Sequence, residues 1–108
     1  MPKQIMGTTN QALTEAVFYI LLALQKPLHG YGIMQETSEL SNGRLILSAG
    51  TLYGAISTLI DKGWIKPYGV EADRRKEYII TDEGKRVLVA ELDRLQELVD
   101  NGNKHINR

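Results

Sequence analysis

The sequence predicts an α+β domain, mainly α: three helices, a two-stranded antiparallel β-ribbon and one long C-terminal helix. Apolar residues recur at helical spacing in four segments punctuated by Pro27, Ser41-Asn42-Gly43 and Gly63. Aromatic and β-branched residues flank the polar stretch Glu71-Ala-Asp-Arg-Arg75, the pattern of a hairpin with a charged tip. Leu88, Leu92, Leu95 and Val99 follow one another at spacings of four, three and four, a coiled-coil seam. At 108 residues, with 43% hydrophobic and 24% charged side chains, the chain has the size and composition of one folded domain.

Helix one is expected from Asn10, capped by Thr9 or Asn10, to just before Pro27, which disfavours helical geometry at Lys26. Its apolar residues run round the whole circumference, with Leu13, Val17, Ile20, Leu21 and Leu24 on one side and Ala16, Phe18, Tyr19, Leu22 and Ala23 on the rest. A helix of this kind is covered on more than one side, which in so small a domain calls for a second chain. After a turn at Pro27-Leu-His-Gly30, helix two is expected over Tyr31–Leu40, with Ile33, Met34, Thr37 and Leu40 facing inward. Arg44–Leu47 reads as a brief extended stretch. Ser48 then caps helix three, Ala49–Lys62, which Gly63 closes. One face of this helix carries Leu52, Ile56, Leu59 and Ile60; the other carries Gly50, Gly54, Ser57 and Asp61, flanked by Thr51 and Tyr53. The ribbon spans Trp64–Val70 and Lys76–Ile80, with Pro67 suited to an edge strand. Thr81 caps helix four, which has Asp82 and Glu83 in its first turn and is expected to reach about Asn101, leaving a frayed tail.

Helix, helix, turn, helix, ribbon is the order of a winged helix-turn-helix, in which the second helix of the pair enters the major groove of DNA. Residues 1–80 would form that DNA-binding unit, and residues 81–108 a dimerisation helix with its tail. The charge pattern agrees with it. Thirteen basic and thirteen acidic residues sum to zero, but residues 44–86 hold eight basic against six acidic, and Lys62 to Lys76 hold five against two. The candidate DNA contacts are Ser48, Gly50, Thr51, Tyr53 and Ser57 on helix three, with Lys62, Lys66, Arg74, Arg75 and Lys76 meeting phosphates. Ser48 and Thr51 can donate to phosphates or base edges, Tyr53 can reach a phosphate or a thymine methyl, and the glycines let the backbone approach. Alone, the basic run would be a solvated hairpin tip, the glycines helix packing and Tyr53 a half-buried aromatic; their combination in this order favours DNA.

The strings Leu28-His-Gly-Tyr-Gly-Ile33, Ser48-Ala-Gly-Thr-Leu-Tyr53, Leu59-Ile-Asp-Lys-Gly-Trp-Ile65 and Arg74-Arg-Lys-Glu-Tyr-Ile-Ile-Thr81 with Gly84 resemble the PadR family of bacterial transcriptional regulators over roughly residues 12–100. The resemblance implies a winged-helix homodimer, typically a repressor, of the short subfamily with a single C-terminal helix. It implies DNA contacts by Ser48, Thr51 and Tyr53 and wing contacts by Arg74, Arg75 and Lys76. Some members of that subfamily take aromatic or drug-like effectors between the subunits. Gly54 stands where many relatives have proline, and helix four has no aromatic to stack on a flat ligand.

The partners expected are therefore double-stranded DNA at a pseudo-palindromic operator, a second copy of the chain, and a small-molecule effector. Phe18, Leu21, Leu22, Leu88, Leu92, Leu95 and Val99 are the expected dimer contacts, and Phe18, Tyr19, Leu22, Leu92 and Gln96 the candidate effector lining. Plain interface packing is the competing explanation for the second set. No enzymatic constellation can be assembled. The chain has no cysteine and two histidines, His29 in a turn and His105 in the tail, so neither a catalytic triad nor a paired-imidazole metal site has support, and no cofactor is expected. The apolar run Ala16–Leu24 has nine residues where a membrane span needs about 20, and it lacks signal-peptide flanks. A cytoplasmic protein is the expectation. The rival reading is a winged-helix protein-interaction module that binds no DNA.

Overall fold

A computed structural model describes residues 12–69 and 76–108. The elements are α1 (Glu15–Ala23), β1 (Leu28–His29), α2 (Gly30–Leu40), α3 (Ala49–Asp61), β2 (Ile65–Tyr68), β3 (Glu77–Ile80) and α4 (Asp82–His105). Each helix begins at a side chain that satisfies an orphan amide. Thr14 accepts from Val17 N–H, His29 Nδ1 from Gly32 N–H, Ser48 from Thr51 N–H and Thr81 from Gly84 N–H. The Ser48 and Thr81 caps are those expected. The cap of α1 is instead Thr14, which is followed by an acidic first-turn residue, Glu15; Thr9 and Asn10 lie outside the described residues.

The expected turn at Leu28–His29 is a strand. It pairs antiparallel with β3, Leu28 opposite Tyr78 and His29 opposite Glu77, and the sheet is three-stranded in the order β1-β3-β2. β3 is thus the central strand and β2, which holds Pro67, an edge. Arg44–Leu47 forms no strand: Leu47 is buried, Ile46 is exposed, and Leu45 N–H donates to Ser41 Oγ at 2.9 Å. Leu40, expected inward, is exposed at the end of α2, whose core contacts are Ile33 and Thr37. α4 continues one turn past Asn101 and carries in its last turn Lys104, a cation that suits the negative end of the helix dipole.

The core lies where α1, α2, α3 and the sheet meet. Ile20, Leu21, Leu24, Ile33, Leu52, Leu59 and Ile65 are its fully buried apolar side chains. α4 joins it only through its first half, where Gly84 sits against the backbone of Trp64 and Leu88 is buried. From Gln96 onward every residue of α4 is exposed. No helix among the described residues is long and apolar enough to cross a membrane.

Candidate nucleic-acid interface

α3 buries Leu52, Ile56 and Leu59, and that stripe fixes what it shows to solvent. Gly50, Thr51, Tyr53, Gly54, Ser57, Thr58 and Asp61 are all exposed, so the polar face expected from helical spacing is the outer face. A methyl group added at Gly50 or Gly54 would meet nothing within 4 Å, so a large partner can approach the backbone there. Ser48 is committed as a cap: it accepts from Thr51 N–H at 3.2 Å and its hydroxyl donates to Thr51 Oγ1 at 3.0 Å. Thr51 keeps its own proton and is the available donor of the two.

Two basic side chains border this face: Lys62 lines a pocket with Gly54 and Thr58, and Lys76 a cleft with Tyr53. Lys62 follows the end of α3 and lies 4.9 Å from the centre of the Trp64 ring, a cation–π contact that steers the ammonium. Lys66 is exposed on β2, and Lys76 is exposed immediately before β3. Arg74 and Arg75 lie outside the described residues.

Sequence reasoning missed a cleft beside α3. It has a volume of about 800 Å³ and is lined by His29, Gly30 and Tyr31 at the start of α2, Gln35 one turn later, Tyr53 of α3, and Lys76 and Tyr78 at β3. Tyr53 does not simply project into solvent, because its hydroxyl lies over Gly30 and a Cβ at that position would collide with it. Tyr78 is only 8% exposed, and burial pushes its phenol above the ordinary tyrosine range, with neighbouring Tyr53 adding to the effect. Leu28-His-Gly-Tyr31 is the available signal, but Pro27 and Gly30 at either end of it point to a turn.

The expected dimer residues divide. Leu92 and Val99 are about half exposed, at 48% and 54%, whereas Leu21 and Leu88 are a correction: both are spent in the protomer's own core. Phe18, Leu22 and Leu95 are half-buried. The outward stripe of α4 is Val89, Leu92, Gln96 and Val99, the same three-and-four rhythm moved off Leu88 and Leu95. Leu95 instead faces α1 across a cleft of about 300 Å³, with Phe18, Tyr19, Glu91 and Arg94. Of the proposed effector lining, Phe18 and Tyr19 reach that cleft; Leu22, Leu92 and Gln96 do not, because Leu92 and Gln96 lie on the outward stripe.

Glu91 is the second residue missed. Its carboxylate is 4% exposed, takes two 2.8 Å hydrogen bonds from Arg94 and accepts from Leu13 N–H at 3.2 Å, which ties the chain entering α1 to α4. Arg94 above all, and then the Leu13 amide, hold its pKa below the ordinary carboxylate range against the opposing effect of burial.

Comparison with known proteins agrees with this architecture. The family model described as the transcriptional regulator PadR-like family matches residues 19–90. An uncharacterized protein of Lysinibacillus sphaericus is 36% identical over 85 residues, covering 73% of this chain and 78% of that protein. A PadR family transcription regulator from Clostridium difficile R20291 superposes with a TM-score of 0.71 at 25% identity, over 87% of this chain and all of the other. A transcriptional regulator from Clostridium thermocellum does so with a TM-score of 0.68 at 26% identity, over 85% and 92% of the two chains.

Proposed function

Because the chain belongs to the PadR-like family of transcriptional regulators, whose members bind DNA, we propose that it is a homodimeric repressor of a pseudo-palindromic operator. The observation that carries this reading is the outer face of α3: small, polar and sterically open from Gly50 to Ser57, with Lys62 and Lys76 beside it and Lys66 exposed on β2. Open backbone and hydroxyl donors suit base edges in a major groove, and the flanking ammonium groups suit phosphates. Ser48 would act by fixing the start of α3, and Thr51 and Ser57 by donating to DNA. Arg74 and Arg75 would extend the phosphate contacts along the wing.

Dimerisation would use the outward stripe of α4. A helix that is exposed from Gln96 onward among the described residues, yet carries Leu98 and Val99, is suited to a partner helix. Two α3 helices would then enter successive major grooves, about 34–36 Å apart, and repression would follow from covering a promoter. A small molecule seated between α1 and α4, against Phe18 and Tyr19, would alter the separation of the reading heads and hence the affinity. Such a protein works in the cytoplasm, where the chromosome is.

The test is a mobility-shift titration on genomic fragments at two salt concentrations. Tight binding to a subset of fragments that weakens steeply with salt is expected. Binding that is absent, or indifferent to salt, would favour a protein-interaction module instead.

A further inference from the structure

The cleft between α2, α3 and β3 has features that a solvent-filled groove does not need. It opens at the N-terminus of an eleven-residue helix, where the Gly30 and Tyr31 amides have no acceptor within their own helix. The Tyr78 side chain lines it while more than nine-tenths buried, and among the described residues its hydroxyl has no hydrogen-bond partner. A hydroxyl that reaches an open cleft without a protein partner is available to a group from outside. Tyr53 brings a second hydroxyl from α3, held over Gly30 by the absence of a side chain there. Lys76, immediately before β3, lines the same cleft as Tyr78 and adds an exposed ammonium. Glu77, the acid between them, falls on the opposite face of the strand.

Amides at a helix N-terminus, two phenolic hydroxyls and one ammonium, with the Gln35 amide beside them, form a donor-rich set whose one full charge is positive. We infer that this cleft seats one phosphodiester of the DNA strand flanking the base pairs under α3, gripped by Gly30, Tyr31, Tyr53, Tyr78 and Lys76. The inference rests on the DNA-binding reading of α3 and deepens it. At about 800 Å³ the cleft is far wider than one anion, so it suits a strand with its sugars crossing an open groove better than a free phosphate. Tyr53 is thereby a backbone clamp rather than a reader of thymine, and α2 and the wing grip the same phosphate that fixes the register of α3. The buried Tyr78 phenol remains protonated at neutral pH and available as a donor.

The experiment uses the full chain and a duplex carrying an operator obtained by selection from random DNA, measured by fluorescence anisotropy. Tyr78→Phe and Tyr53→Phe keep the rings and remove only the hydroxyls, and thermal melting checks that both variants fold. Each should weaken binding about tenfold, on operator and random duplex alike, because a phosphate contact carries no sequence information. Neutral methylphosphonate placed at successive backbone positions should cost the wild type a similar factor at one position in each half-site. At that position Tyr78→Phe should lose little more, since both changes remove the same interaction. Wild type that binds DNA while Tyr78→Phe binds equally well overturns the phosphate seat and leaves the DNA reading standing. So does a Tyr78→Phe loss that adds in full to the methylphosphonate loss at every position. Wild type that binds no duplex at any salt overturns both.

Discussion

Gly84→Ala separates this structure from what helix propensity alone would forecast. Gly84 lies in the first turn of α4, where replacing glycine by alanine should by itself favour the helix by up to about 1 kcal/mol. The structure reverses the sign. A Cβ there would strike the Trp64 carbonyl oxygen and come within 2.8 Å of Ile80 Cγ1 and 3.0 Å of the Trp64 carbonyl carbon. The first and last of these are backbone atoms and cannot turn aside. The same Trp64 carbonyl accepts from Thr81 N–H at 2.9 Å, so pushing it away strains the junction that seats α4 on the wing. Overpacking costs about 1–3 kcal/mol and the weakened hydrogen bond about 1 kcal/mol. After the propensity gain, a net loss of about 1–3 kcal/mol remains. For a domain near 100 residues each kcal/mol shifts the midpoint by about 4–8 °C, so Gly84→Ala should melt roughly 5–20 °C lower in calorimetry at matched protein concentration. Gly54→Ala is the internal control: it meets open space in the middle of α3 and should melt at the same temperature or slightly higher. A Gly84→Ala midpoint at or above that of the wild type would refute the packing described for α4.

Leu92→Asp, at the centre of the outward stripe, should shift the chain from dimer to monomer in analytical ultracentrifugation; an unaffected dimer would place the interface elsewhere. Glu91→Gln should destabilise by about 1–3 kcal/mol at neutral pH, because it weakens a buried acceptor for Arg94 and Leu13. The folded-state pKa of Glu91 lies below its unfolded value, so the stability it adds is present above the unfolded pKa and lost as pH falls through the folded one. The gap between wild-type and variant melting points should therefore close on acidification, and a gap constant with pH would argue against the ion pair. Replacing Arg74 and Arg75 by alanine should lower affinity evenly across sequences. It should also flatten the salt slope by about 0.9 for each phosphate no longer neutralised, measured by anisotropy over a salt series.

α3 and its solvent face are legible in the chain because every cue is local: a serine cap, an apolar stripe at helical spacing and a glycine closure within sixteen residues. The Thr81 cap of α4 is equally local. What escapes depends on partners distant in sequence. Leu28–His29 is too short to show a period and becomes a strand only because β3 offers it an edge. Of the α4 row that the spacing singles out, Leu92 and Val99 are exposed while Leu88 and Leu95 turn inward, because Leu88 and Leu95 share the rhythm of the exposed residues and only the docking of α1 decides which row is covered. Glu91 and Arg94, three apart on a helix, look like an ordinary surface pair until the chain entering α1 closes over them. Tyr78 can be assigned to a strand, but nothing local tells that its side chain ends largely buried along a cleft shared with Tyr53 and the start of α2.

Dimeric, sequence-specific DNA binding is tested by binding-site selection from random duplex DNA with the 108-residue chain, followed by sequencing of what is enriched. An inverted repeat is expected, with half-sites about 10–10.5 base pairs apart, the spacing of two α3 helices on one face of the duplex. Enrichment of no sequence, or of a single half-site without a symmetric mate, would contradict it.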